Sequence, residues 1–422
     1  MPLSPDVLAG LRADAAAQQP EIVALRRALH RTPELGLRLP ATQQLVLDAI
    51  APLGLEVSTG AGLSSVVAVL RGGRRGPAVL LRGDMDALPV TEDSDEPFPS
   101  ENVGVMHACG HDLHVAGLVG AARLLASRRD EIAGDVVLMF QPGEEGDHGA
   151  RLMIEEGALD AAGERVVAAY GLHVLSSMLP AGLVMARHGT MLAAADTVHI
   201  TVHGRGGHGS MPHLAADPVP VAAEIVLALQ AMVTRQFDIF DPVVVTVGRI
   251  SAGTTDNVIP STALLEATVR TFSEATHASV LDRLTRVAEG IAAAHGLTVT
   301  VDYQRGYPVT SNTPAEVDRA AGLVRTMFGE DAYLSAPQPI SGSEDFSYVL
   351  QQVPGTYLGL GATPVGADPR TAAYNHSAQA TFADEALAVG PAVLAALALD
   401  RLAEDEEPVD PAELASSTPS YV

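Results

Sequence analysis

From Pro20 to Leu29 apolar residues recur at helical spacing, and the same period returns from about Ala41 to Pro52. The rhythm then shifts to short, continuously apolar runs rich in β-branched residues: Ser65–Leu70, Ala78–Leu81, Asp135–Phe140 and Val166–Tyr170. A long amphipathic helical pattern, His114 to Arg129, lies among them. Runs that are apolar throughout, rather than at alternate positions, suit strands buried on both faces. They predict an α/β domain: a parallel or mixed sheet covered by helices.

A different rhythm begins near Ala193. Thr197–Val202 alternates as a half-exposed strand does, and a helical pattern follows from Val219 to Arg235. Strand patterns at Val243–Ile250 and Ala263–Phe272, a helix at Ala275–His295 and a strand at Leu297–Tyr303 complete the order βαββαβ. That order is ferredoxin-like, and its size suits a second domain inserted in the first. After Pro308 helix, strand and helix return, with the strand expected at Thr356–Leu360. The chain therefore divides into a catalytic domain (1–192 and 305–402), an insertion (193–304) and an acidic, flexible end (403–422). A length of 422 residues also favours two unequal domains over one core.

Charge narrows the partners. With 51 Asp+Glu against 26 Lys+Arg, the formal charge is −25, a field that repels nucleic acid and anionic lipid. Every one of the 26 basic residues is Arg, which excludes a lysine nucleophile or Schiff base. The opening residues show no basic segment followed by an apolar one, so no secretory signal is expected. The apolar stretch Leu387–Leu399 is broken by Gly390 and Pro391, and is shorter than the roughly 20 residues of a membrane span. A lone cysteine forms no internal disulfide and fits the cytoplasm.

The candidate chemistry sits just beyond the strand runs, where open α/β sheets bind ligands. Asp84 and Asp86 follow the second run, Glu144 and Glu145 the third, and His173 the fourth. The densest cluster is His107-Ala108-Cys109-Gly110-His111-Asp112-Leu113-His114. Cys109 and His111, two apart, cannot share a helix face, so they are expected on the loop entering the helix that His114 begins. Thiolate with imidazole suits zinc, manganese, cobalt or nickel, and a helix N-terminus favours the thiolate. A histidine-rich capping turn would read the same way locally. Glu144 and Glu145 follow a Pro-Gly, and neighbouring side chains diverge. One could bind metal while the other takes the proton from water at the metal; a solvated acidic turn is the plainer alternative. His173 and His376 are singly uninformative.

Taken together, these stretches resemble a known family. In order along the chain they are Gly83–Pro89, His107–His114, Gln141–Gly146, Gly171–His173, Gly206–Ser210, Asn257–Pro260, Gly342–Phe346 and Asn375–Ser377. They are similar to the N-acyl-amino-acid amidohydrolases (hippurate hydrolases, aminoacylase-like and indole-acetyl-amino-acid hydrolases) of the carboxypeptidase G superfamily. The resemblance implies Cys109, His111, Glu145, His173 and His376 as ligands of one or two divalent ions (Zn, Mn, Co or Ni). It implies Glu144 as general base and Asp86 as the acid that orients a ligand histidine. The wider superfamily has a histidine ligand at the position of Asp84 and a bridging carboxylate in place of Cys-Gly-His. This leaves open both the ion count and any metal contact by Asp84.

The insertion would then act as a lid and join subunits into a dimer or tetramer. His208 would reach a neighbouring subunit's site to stabilise the oxyanion, and Asn257 and Arg270 would hold the substrate carboxylate. The implied reaction is hydrolysis of an N-acyl-L-amino acid to a carboxylic acid and a free amino acid. The alternatives are an N-acetyl-diaminopimelate deacetylase or dipeptidase with the same chemistry, and a metal-binding scaffold without catalysis.

Overall fold

The computed structural model describes residues 3–403. All but the first residue of the expected acidic end lies outside them. The first helix, α1, runs Pro5–Arg31, started by Ser4, whose hydroxyl accepts from the Val7 amide, and by a proline in the first turn. It passes through Pro20, where the sequence pattern placed its beginning. The helix survives the lost amide there because Leu8, Leu11, Ala15, Ile22 and Leu29 are buried along one face.

The elements that follow are α2 (Pro40–Ile50), β1 (Glu56–Thr59), β2 (Val66–Arg71), β3 (Arg74–Asp84) and α3 (His111–Ala126). Next come β4 (Ala133–Gln141), α4 (Gly149–Glu155), β5 (Ala168–Pro180), β6 (Val184–Ala186) and β7 (Gly189–Leu192). The intervening module holds β8 (Ala194–His203), β9 (Gly207–His208), α5 (Pro218–Gln236), β10 (Val243–Ala252) and β11 (Val258–Ile259). It closes with β12 (Thr262–Thr271), α6 (Glu274–Ala294) and β13 (Thr298–Tyr307). The described residues end with β14 (Thr310–Asn312), α7 (Pro314–Phe328), β15 (Tyr333–Ser335), α8 (Ser347–Leu350), β16 (Gly355–Thr363) and α9 (Ala386–Leu402).

Eight strands form one mixed sheet in the order β1-β2-β4-β3-β5-β16-β6-β15. Its centre, β4-β3-β5-β16, is parallel. The continuous apolar runs have the predicted cause. Val79 and Leu81 of β3 enter the core beneath α1, α3 and α9, while Ala78 and Leu80 enter a second core beneath α4 and α8. Two spans differ from the sequence reading. The third helix begins at His111 rather than His114, and β5 continues to Pro180 instead of stopping before His173.

Strands β10, β12, β8 and β13, in that order, make a separate antiparallel sheet. With α5 and α6 packed on it, this is the ferredoxin-like arrangement inserted between β7 and β14. It has a hydrophobic core of its own, including Val198, Ile200, Leu229, Leu265 and Leu284. Helix α5 is long and apolar enough to cross a membrane by length and composition. Its buried residues, among them Val221, Ile225 and Leu229, pack on this core.

Candidate metal centre

The parallel strands deliver their carboxyl ends to one edge, and the chemistry gathers there. Gly110, with φ 83°, turns the chain into α3; a Cβ at this position would lie 2.4 Å from Val174 Cγ2. The turn leaves Cys109 on the loop and His111 as the first helical residue, both buried. Glu144 and Glu145 follow β4 across Pro142-Gly143. His173 projects from within β5, and His376 comes from the loop before α9, with φ 73°.

Cys109 Sγ lies 3.3 Å from His173 Nε2 and 3.2 Å from His376 Nε2. Glu145 Oε1 is 3.2 Å from His376 Nε2 and 4.0 Å from His111 Nε2. Five residues named from the sequence are thus brought together. Two of the converging atoms, His111 Nε2 and Glu145 Oε1, are buried and make no hydrogen bond of proper geometry among the described residues, a costly state unless a cation sits between them. Second partners fix the rings: His111 Nδ1 donates to the Asp86 carbonyl and His173 Nδ1 to the Val174 carbonyl, both at 2.8 Å. Each ring is therefore turned so that Nε2 points inward. The donor set of three imidazoles, one sulfur and one carboxylate fits a divalent transition metal. The triads Cys109-His111-His173 and Cys109-Glu145-His376 share the sulfur, which suits either one ion or two.

Charge supports the same conclusion. Burial pushes the Cys109 thiol up to about 12, beyond what His111 offsets. A thiolate at this position requires an adjacent cation. Burial and the neighbouring His114 hold His173 well below the usual histidine range, so it is a neutral imidazole.

Asp84 and Asp86 sit behind the donors. Asp84 accepts from His114 Nδ1 at 2.5 Å and from Arg82 at 2.7 Å, and lies 3.4 Å from His111 Nε2. Burial raises its carboxyl, but Arg82, His111 and His114 outweigh this and hold it well below the usual range. His114 Nε2 accepts from the Val174 amide, so that ring has no free lone pair for a metal. The Asp86 carboxylate accepts from the backbone amides of Glu144 and Glu145, each at 2.9 Å. It therefore fixes the glutamate turn; the ring of His111 is held by the Asp86 main chain, with the carboxylate 3.7 Å away.

A cavity of about 650 Å³ opens over these residues. Cys109, Glu144, Glu145, His173 and His376 line one side, and Arg270 of β12 lines another. The model of peptidase family M20/M25/M40 matches residues 80–400. The chain belongs to this family. Thermostable carboxypeptidase 2 of Saccharolobus solfataricus is 37% identical over 93% of this chain and 98% of its own. The N-acetyl-L-cysteine deacetylase of Bacillus subtilis is 37% identical over 81% of this chain and 80% of its own. A dinuclear metal-binding M20 peptidase from Bacillus subtilis has the same fold, with a TM-score of 0.79 and 31% identity over 92% of this chain and 99% of that one.

Within one M20 chain the remaining sequence candidates divide. Arg270 faces the cavity and has no ion-pair partner among the described residues. His208 and Asn257 are exposed and do not line the cavity; they adjoin each other, where Gly209 N donates to the Asn257 carbonyl at 2.8 Å. Residues given no role from sequence also join the site. Arg82, fully buried, donates to Gln141, Asp84, Glu344 and Asp345. Its signal was present: an arginine directly after the apolar run Ala78–Leu81, where a buried strand continues, needs buried acids. Asn375 braces the loop before His376, donating to the Cys109 and Val174 carbonyls.

Proposed function

We propose that this M20 hydrolase cleaves the amide bond of N-acyl-L-amino acids, releasing a carboxylic acid and a free amino acid. The observation that carries this reading is Glu144. Its carboxyl is buried at the cavity wall and makes no hydrogen bond among the described residues, while its backbone is fixed on both sides. Burial, then Glu344, Glu145 and Asp345, push its carboxyl well above the usual carboxylate range, and a cation held by the neighbouring donors would oppose that shift.

Cys109, His111, Glu145, His173 and His376 would hold the metal, which supplies Lewis acidity toward water and the amide carbonyl. Glu144 takes the proton from water as its oxygen bonds to the carbonyl carbon. Glu144 then returns that proton to the leaving nitrogen as the C–N bond breaks. Arg270 binds the substrate carboxylate in two-pronged fashion and sets the amide over Glu144. Residues 1–192 and 305–402 form the catalytic part in this proposal, and 193–304 a lid. A second copy, in a cytoplasmic homodimer or tetramer, would bring His208 and Asn257 to the cavity.

The relative named as a deacetylase fits this reading, and the one named as a carboxypeptidase makes C-terminal peptide cleavage the second, served by the same arginine. Product release from N-acetyl, N-benzoyl and longer acyl amino acids, run beside dipeptides with zinc, manganese, cobalt and nickel, tests both. Turnover of acyl amino acids supports the proposal. Turnover confined to peptides favours the second reading, and bound metal with no turnover of either sinks both.

A further inference from the structure

The Glu144 side chain makes no hydrogen bond or ion pair among the described residues, so its aim depends on the turn that carries it. That turn is held from two directions. On the side of the main sheet, Asp86 accepts the Glu144 and Glu145 amides. On the other side stands Tyr307, the last residue of β13, where the inserted module returns to the main chain path. Its hydroxyl donates to the Glu144 carbonyl at 2.5 Å and accepts from the Gly146 amide at 2.7 Å. The hydroxyl therefore spans the turn on either side of Glu145.

The position of Tyr307 matters as much as its bonds. It follows a register shift after Arg305 and pairs with Ala195, so it stands beside the module's entry strand at its exit. Its ring meets His148 edge-on at 4.9 Å, and Tyr348, whose hydroxyl donates to the Gly306 carbonyl at 3.0 Å, packs beside it. The ring is buried and seated independently of the hydroxyl.

We infer that Tyr307 is a positioning residue that locks the aim of Glu144 to the base of the inserted module. Motion of the module about its two crossing strands reaches the Glu144–Gly146 turn through this hydroxyl. The inference rests on reading Glu144 as the general base. The hydroxyl is engaged by backbone groups on both its donor and acceptor sides, so it acts through Glu144 and takes no part in proton transfer.

The test is Tyr307→Phe, which keeps the ring and removes only the oxygen. In the metal-loaded protein kcat is expected to fall about 10- to 100-fold, the cost of a misaimed group, with KM changed by less than about twofold. Metal content should match the wild type, because no donor atom is altered. Independently of any substrate, hydrogen exchange should show lost protection in the peptide covering 142–150 and none in α5. Unchanged kcat with unchanged exchange overturns the inference, as does a rise in KM alone. A wild-type protein inert toward every acyl amino acid would defeat the functional reading. The exchange measurement would still decide whether Tyr307 holds the turn.

Discussion

The Asp86 carboxylate and the backbone of Glu145 are joined at 2.9 Å, and the second oxygen of Asp86 holds the Glu144 amide at the same distance. One buried side chain thus fixes the backbone of two adjacent glutamates, which the proposed function turns different ways, one toward a metal and one toward the substrate.

Replacing Asp86 by Ala leaves two amides without acceptors beneath the site. Thermal or denaturant unfolding should show a loss of about 2–4 kcal/mol, typical of stranded buried donors. Turnover should drop far more than the stability loss implies. Near-normal turnover in a stable Asp86→Ala protein would contradict the role given to that carboxylate.

Glu144→Gln keeps the shape and removes the base. Metal content by mass spectrometry should be unchanged, while kcat falls about 10²- to 10⁴-fold, the usual contribution of general acid–base catalysis. Retained turnover would mean that another group accepts the proton.

His376 is a sharper test of the ligand set than the buried donors, because its side chain is 52% exposed and its removal strains no core. His376→Ala should keep its unfolding midpoint yet release metal to a chelator at lower concentration, with affinity weakened by at least the roughly tenfold seen when an orienting partner is lost. Unchanged metal affinity would remove His376 from the centre.

Arg270 is lowered in proton affinity by burial, with Asp196 opposing, and it faces the cavity without an ion-pair partner among the described residues. Arg270→Ala should raise KM about 10- to 100-fold, the worth of a charge-assisted contact, and kcat should change less. Amidated substrates, lacking the carboxylate, should not distinguish the variant from the wild type.

Within the inserted module, His277 Nε2 and Asp196 are paired at 2.8 Å. The hydrogen bond His277 gives to Asp196, with Glu274 3.8 Å away, raises His277 from 6.5 to about 9, while Asp196 is lowered: burial opposes, but His277 and Tyr303 prevail. A raised histidine stabilises the fold fully below its unfolded value and loses that contribution as pH climbs through the folded one. The unfolding midpoint should therefore decline between pH 6.5 and about 9. His277→Asn should flatten that decline; an equally steep decline in the variant would assign it to other groups.

What the sequence determined by itself is whatever neighbouring residues encode. Continuous apolar runs reported strands buried twice, and the alternating Thr197–Val202 reported a strand buried once. The two-residue spacing of Cys109 and His111, and the Pro-Gly before Glu144, placed candidate donors near strand and helix ends through local geometry. His173 showed how far such reasoning reaches: its run was visible, but β5 extends through it, because pairing with β16 continues the strand beyond its apolar segment.

Convergence belonged to the tertiary structure. Cys109 and His376 meet at 3.2 Å across 267 residues, an approach set by strand order and by Asn375 bracing the last loop. Arg82 finds Glu344 only because β3 and the loop before α8 meet beneath the sheet's end, and Tyr307 finds Glu144 only because the module exits there. A periodic pattern specifies which face of an element is buried. It does not specify which other element lies against that face, and the chemistry of this site is made between elements.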